Sequence, residues 1–410
     1  MFSHLLELLQ LQSKLKNGAD PNARYFMGSE INLISVLKLK ELKLLLKYGA
    51  YPDSRDRAGL TPLMKAARHP QAYATVKLLI EYGADVNDIA GERHDYRTIL
   101  HHSIFSGNVD LIRLLLTSGA RYPKLDFDKP SPLDIAIISG RSDIVRLLLE
   151  FDADVNWGSH TTIGQPLHTA LTQRVENKFE IVRLLLDSGA DPNSLNTSSR
   201  HTGPPLHDYL NSVKYCGGST PTAPNTNLPS QIALSSTNDP VMDMVRLLLM
   251  YGARVILKTS TQHPLGLART LERAQEELNL DLLFLLIDAA EQIDWFMMSK
   301  VIYSCLRHSN RNRTNELFDP SVSNDMTPQK LYEILADTTA HHRGTHESII
   351  KLMNGGKSSS AVLTLKQMTR IRIRRHLSEE LQVRGKQLIE RINSLALPNI
   401  LKRYLLYQGY

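Results

Sequence analysis

Val76-Lys77-Leu78-Leu79-Ile80-Glu81-Tyr82-Gly83-Ala84-Asp85-Val86-Asn87 is an apolar, helix-like run that stops at Gly-Ala-Asp, and it does not occur once. Its ending returns as Asn17-Gly18-Ala19-Asp20-Pro21-Asn22, Tyr48-Gly49-Ala50-Tyr51-Pro52-Asp53 and Ser118-Gly119-Ala120-Arg121. It returns again as Phe151-Asp152-Ala153-Asp154-Val155-Asn156, Ser188-Gly189-Ala190-Asp191-Pro192-Asn193 and Tyr251-Gly252-Ala253-Arg254. The glycine position, held by Asp152 in one copy, advances by 31, 34, 36, 33, 37 and 63 residues. A fixed period of this size means stacked structural repeats, each covering the apolar face of its neighbour.

A second phrase keeps time with the first. It reads Leu60-Thr61-Pro62-Leu63-Met64-Lys65-Ala66, Ser131-Pro132-Leu133-Asp134-Ile135-Ala136 and Gln165-Pro166-Leu167-His168-Thr169-Ala170. Pro204-Pro205-Leu206-His207 and His263-Pro264-Leu265-Gly266-Leu267-Ala268 follow, with looser forms at Arg97-Thr98-Ile99-Leu100-His101 and Ile31-Asn32-Leu33. Thr or Ser caps a helix, and Pro fits its first turn, where a missing N–H costs nothing. The second helix is the Ile144 to Leu149 or Ile181 to Leu186 type of run, ended by a residue in the left-handed conformation. Asp152 tolerates that conformation better than most residues. The two phrases together resemble the ankyrin repeat.

The expected fold class is all-α: an ankyrin solenoid of helix pairs with β-hairpin-like loops, followed by a C-terminal helical box. Residues 1–28 form a partial, capping repeat, and 29–293 hold about seven repeats. Residues 294–360 form a helical extension and linker, and 361–410 the C-terminal box. The 63-residue interval exceeds the period by about 30 residues, and Tyr215 to Pro240, rich in Gly, Ser, Thr, Asn and Pro, fills it. That stretch reads as an inserted loop, either a tolerated surface excursion or a contact for a partner.

Composition narrows the rest. The chain has 410 residues, 42% of them hydrophobic, enough for a sizeable core. The longest purely apolar run, Leu282 to Ile287, is far short of a membrane span. Met1 to Gln12 lacks the basic start and small-residue cleavage site of a secretory signal. Two cysteines, Cys216 and Cys305, allow no disulfide framework, which fits a reducing cytosolic or nuclear setting. The net charge of +6 is local: Thr364 to Tyr410 carries ten Lys or Arg against three Glu, or +7, leaving about −1 for the other 363 residues.

That basic segment begins Thr364-Leu365-Lys366-Gln367-Met368-Thr369-Arg370-Ile371-Arg372-Ile373-Arg374-Arg375-His376-Leu377. Leu365, Thr369, Ile373 and Leu377 are four apart and share a helix face with Met368 beside them, while Lys366, Arg370, Arg374 and Arg375 lie elsewhere. A second apolar block runs from Ile392 through Leu395-Ala396-Leu397-Pro398 to Leu401-Lys402-Arg403-Tyr404-Leu405-Leu406-Tyr407. Pro398 opens a helix there, and Leu401, Tyr404 and Leu405 share a face. On residues alone these helices also fit a cap for the stack with a solvated basic face. A nucleic-acid role for Arg370, Arg372, Arg374 and Arg375 is a third reading, but no aromatic interleaves them.

The segment resembles a SOCS box, and with the repeats it resembles the ankyrin-repeat and SOCS-box family. The resemblance implies an elongin-binding helix at Thr364, Leu365, Met368, Thr369, Ile373 and Leu377, with Leu365 the main anchor and Thr369 where Cys is usual. It implies cullin-5 contact through Leu395, Leu397, Pro398, Leu401, Tyr404, Leu405 and Tyr407, with Ala396 in place of the usual first Pro. The implied role is the substrate-recognition subunit of a ubiquitin ligase. Its partners would be elongin B/C, cullin-5 with its RING protein and an unknown protein target, with neither nucleic acid nor membrane. No catalytic residue, metal or cofactor is expected. His101-His102 and His341-His342 are adjacent rather than four apart, and His168 and His207 stand at the repeat's own histidine position.

Overall fold

The computed structural model describes residues 2–25, 28–33, 36–94, 96–122, 130–158, 165–195, 203–215, 240–257, 280–293, 298–303, 370–374, 376–377 and 386–407. The expected loop at 215–240 lies outside these apart from its two end residues, as does nearly all of the expected extension at 294–360. The chain divides into two compact units, Met1–Asp154 and Val155–Tyr410.

In the first unit, α1 (Phe2–Lys16) precedes the short antiparallel pair β1 (Arg24–Tyr25) and β2 (Gly28–Ser29). Helix pairs follow: α2 (Glu30–Leu33) with α3 (Leu39–Lys47), α4 (Pro62–Ala67) with α5 (Tyr73–Glu81), α6 (Ile99–Ser106) with α7 (Val109–Thr117), and α8 (Pro132–Ile138) with α9 (Ser142–Glu150). The first helices α4, α6 and α8 pack side by side, as do the second helices α3, α5, α7 and α9. The second unit continues with α10 (Pro166–Thr172), α11 (Lys178–Asp187), α12 (Pro205–Tyr215) and α13 (Pro240–Met250). Strand β3 (Val255–Leu257) pairs in parallel with β4 (Ala290–Ile293), which follows α14 (Leu280–Ala289). The unit ends in α15 (Lys386–Ser394) and α16 (Asn399–Leu405). The fold is the all-α ankyrin solenoid with a C-terminal SOCS box that the two phrases and the terminal segment predict.

The recurring residues account for the geometry. Thr61 caps α4 by accepting from the Met64 N–H at 3.3 Å. Ser131 and Asp134 form a reciprocal box at α8, with Asp134 N–H to Ser131 Oγ at 3.1 Å and Ser131 N–H to Asp134 Oδ2 at 2.9 Å. Apolar side chains interdigitate between the two rows: Leu63, Val76, Leu79, Leu100, Leu111, Ile112 and Leu115 are fully buried in the first unit. Each contributes about 1.5–3 kcal/mol of transfer free energy. Asp152 adopts φ +60°, the left-handed conformation of the glycines it replaces.

The asparagine that often ends the phrase has a specific task. Its side-chain amide donates to the glycine carbonyl of the next copy, and its carbonyl oxygen accepts from a backbone N–H two residues beyond that glycine. Asn22 bridges Gly49 and Tyr51 at 2.9 and 2.8 Å, and Asn87 bridges Gly119 and Arg121 at 3.0 and 2.8 Å. Asn156 bridges Gly189 and Asp191 at 3.2 and 3.0 Å. Asn193 does the same to Gly252 and Arg254 at 2.9 and 2.8 Å, across the long interval. Asp53 keeps only the accepting half, from Asp85 N–H at 3.0 Å. Removing both bonds in Asn87→Ala is expected to cost about 1–2 kcal/mol of unfolding free energy, measured by urea denaturation.

His101 ties adjacent repeats by a similar logic. Its Nδ1 accepts from Thr98 N–H at 3.1 Å, and its Nε2–H donates to the Pro130 carbonyl at 3.1 Å. That pattern requires the neutral ring. Burial pushes His101 down to about 4 and, with Arg68 and other neighbours adding, pushes His102 down to about 3. Folded values below the unfolded 6.5 mean that the unfolded chain takes up protons first on acidification. The stabilisation is complete above about pH 6.5 and is lost as pH falls towards 4. Between pH 6.5 and 5 the loss is about 2 kcal/mol per ring. His102→Gln should roughly halve the slope of unfolding free energy against pH in that window.

Candidate SOCS-box interface and its anchorage

The site is built around a small apolar core. Leu377, Leu388, Ile392, Leu405 and Leu406 are buried together, and Ile373, Ile389, Leu395 and Leu397 pack against them. The four-apart face read from the sequence therefore supplies Ile373 and Leu377 to this core. Thr364, Leu365, Met368 and Thr369 lie outside the described residues. Pro398 is the N-cap of α16 with φ −55°, and its carbonyl accepts from Leu401 and Lys402 N–H at 2.9 and 3.1 Å. Lys402 Nζ donates to the Asn393 carbonyl at 2.6 Å, joining α16 to α15.

The residues assigned to cullin contact divide into two groups. Leu405 and Tyr407 are buried, and Leu395, Leu397 and Tyr404 are half-buried. Pro398 is exposed, and so is Leu401 at 45%. Beside them Ile400, at 76%, is the most exposed large apolar side chain among the described residues. Sequence reasoning passed over Ile400 because it falls off the Leu401, Tyr404, Leu405 face. The signal available was its place directly after Pro398-Asn399, where an apolar residue off the buried face meets solvent.

Leu405 and Leu406 of the Tyr-Leu-Leu-Tyr ending enter the apolar core, and two arginines meet its tyrosines. The Arg370 guanidinium lies 3.5 Å from the Tyr404 ring centroid and 4.5 Å from that of Tyr407, and Arg374 lies 5.0 Å from Tyr407. Desolvated cation–π contacts of this kind contribute up to about 2 kcal/mol. Burial pushes the Tyr404 hydroxyl up to about 12. Arg370 also pairs with Asp288 on α14. Arg374 Nη1 donates to the Leu405 carbonyl at 2.6 Å, and Nη2 donates to the carbonyls of Leu249 and Met250 at 2.6 and 3.1 Å. Leu249 and Met250 end α13, where the dipole favours a cation; the Leu249 carbonyl also accepts from Gly252 N–H at 3.1 Å. Desolvation draws Arg374 below the usual guanidinium range.

Both arginines were candidates for a solvated basic face or for phosphate contact. The structure corrects this: Arg370 and Arg374 are buried, while Arg372 and His376 are exposed. Among the described residues no cluster of three or more His, Cys, Asp or Glu is placed to hold a metal, and no helix is long and apolar enough to cross a membrane.

Comparison with known proteins agrees with this architecture. The family model for ankyrin repeats matches residues 5–90, 33–126, 88–157 and 123–196, and that for the SOCS box matches 361–406. This chain belongs to the ankyrin-repeat and SOCS-box family. Among curated proteins it is similar to the putative E3 ubiquitin-protein ligase XBAT35 of Arabidopsis thaliana, 35% identical over 26% of this chain and 23% of that one. It is also similar to the B-cell lymphoma 3 protein homolog of Mus musculus, 30% identical over 40% of this chain and 36% of that one. The chain thus spans roughly a quarter to a third of the length of these relatives. Among solved structures, the human ASB11 ankyrin repeat domain matches half of this chain and 88% of its own at 26% identity and a TM-score of 0.40.

Asp288 compensates a fully buried guanidinium. Asp288→Ala should therefore cost about 3 kcal/mol, and the double variant with Arg370→Met should recover most of it. Denaturant unfolding of the single and double variants checks both statements.

Proposed function

We propose that this chain is the substrate-recognition subunit of a cullin–RING ubiquitin ligase. The ankyrin repeats hold a target protein. The SOCS box recruits elongin B/C through Leu365 and its neighbours, and cullin-5 with its RING protein through the strip at Leu397, Pro398, Ile400 and Leu401. The observation that carries this reading is the pairing of a SOCS-box match at 361–406 with ankyrin repeats in one chain. The exposed apolar strip on α16 supports it, because an unpartnered apolar patch rimmed by polar groups marks a protein contact.

The chemistry asked of the chain is positional. It brings lysines of a captured target close to a ligase supplied by other subunits, which raises their effective concentration. Capping of α13 by Arg374 does not compete with this role, since Arg374 is buried whereas Ile400 and Leu401 are exposed. The reducing interior of the cytosol or nucleus is the setting that two distant cysteines fit.

Leu365→Ala should weaken elongin B/C binding about 30-fold, or about 2 kcal/mol, with the ankyrin repeats still folded. Ile400→Asp with Leu401→Asp should leave elongin binding intact and abolish cullin-5 binding. Titration of each purified complex against cullin-5 and cullin-2 is the measurement. A preference for cullin-2, or no cullin binding beside intact elongin binding, overturns the assignment.

A further inference from the structure

The first unit carries a second exposed apolar feature, on the row of first helices. Phe105, at the end of α6, is 52% exposed, and Ile138, at the end of α8, is 49% exposed. Each stands seven residues after its helix cap, Thr98 and Ser131, so the two occupy the same place in consecutive repeats. Their helices pack directly against each other. Neighbouring helices lie about 8–10 Å apart, which is close to the spacing of side chains two to three residues apart in an extended peptide, about 7–10 Å.

Basic groups frame this pair. The Arg97 guanidinium lies 5.4 Å from the Phe105 ring centroid. Arg68, exposed at the end of α4, holds the equivalent place one repeat earlier. The helix that Arg68 ends, α4, packs directly against α6, and Arg97 immediately precedes the Thr98 cap of α6. His102 itself is buried, three residues before Phe105 on the same helix face. Neither of its ring nitrogens has a hydrogen-bond partner among the described residues. His94 meets it edge-on, with ring centroids 6.3 Å apart. In the hairpin before Arg97, Glu92 and Arg93 offset each other, and Asp95 lies outside the described residues.

We propose that Phe105 and Ile138, with Arg68 and Arg97, form the target-docking surface, and that it takes an extended acidic peptide with bulky apolar side chains between Asp or Glu residues. Phe105 and Ile138 supply exposed apolar anchors that the bound peptide covers, and the arginines pair with the flanking carboxylates. Arg97 reaches both sets, since it already stacks on Phe105. The inference deepens the substrate-receptor reading and rests on it.

Selection of a randomised 12-residue peptide library displayed on phage against the full-length chain tests it without prior choice of target. Recovered peptides should be enriched in Asp and Glu around Phe, Leu, Ile or Trp. A fluorescein-labelled copy of the strongest should lose at least tenfold in affinity with Phe105→Ser and with Arg68→Glu, while Ile138→Ser serves as a second apolar variant. Because Phe105 and Ile138 are half-exposed, these variants should keep the circular dichroism and melting temperature of the parent. Recovery of no binder overturns the proposal. So does recovery of neutral or basic peptides, or affinity indifferent to all three substitutions. Equal binding of a single-stranded oligothymidine that survives Phe105→Ser also overturns it, because the surface would then be purely electrostatic. Elongin B/C affinity is measured on the same samples. Peptide binding without elongin binding sinks the ligase reading alone, and elongin binding without peptide binding sinks this surface alone.

Discussion

The guanidinium of Arg374 joins the two halves of the second unit. It donates to two carbonyls at the end of α13 and to one at the end of α16, all out of water. The end of a helix leaves carbonyls short of intrahelical donors; the Leu249 carbonyl accepts from Gly252 N–H at 3.1 Å and gains the guanidinium as a second donor. One planar fork satisfies two helix ends at once. A lysine ammonium could not span both, because its donors radiate from one atom rather than from a rigid fork. Arg370, one turn earlier, completes the joint through Asp288 and the two tyrosine rings.

The described residues 370–374 and 376–377 divide their labour by faces four residues apart. Arg370 and Arg374 turn towards the repeat. Ile373 and Leu377 enter the apolar core of the box. Arg372 and His376 remain in solvent. The same periodicity that made the segment look like a free amphipathic helix thus serves two internal contacts.

Repeats were legible because their determinants are local or strictly periodic. Caps, the first-turn prolines and the left-handed glycines act within a few residues, and Asp152 was readable as a glycine substitute from its backbone tolerance alone. The asparagine was visible as a recurring letter, but its task depends on a carbonyl one period away. The terminal box was legible as a motif and not as an energetic object. Nothing near Arg374 in sequence indicates that Leu249 and Met250, 125 and 124 residues earlier, present two carbonyls to it. Burial of a charged side chain is decided by such distant partners, so a basic run reads as solvated until the partners are seen. Leu405 and Tyr407 illustrate the converse: a motif learned as a contact surface holds side chains that here pack inside the box, leaving Ile400 and Leu401 outside.

The long interval shows how tolerant this architecture is. Asn193 reaches Gly252 and Arg254 at 2.9 and 2.8 Å, close to the 3.0 and 2.8 Å that Asn87 makes to Gly119 and Arg121, although its glycine lies 59 positions on instead of 32. A repeat needs its two helices and its bridging asparagine in register, not a constant loop. Each doubling of loop length costs only about 0.6 kcal/mol of closure entropy, less than the pair of bridging bonds returns. Insertion between the helices of one repeat is therefore a cheap place to vary the chain, and the rows of packed helices on either side need not register it.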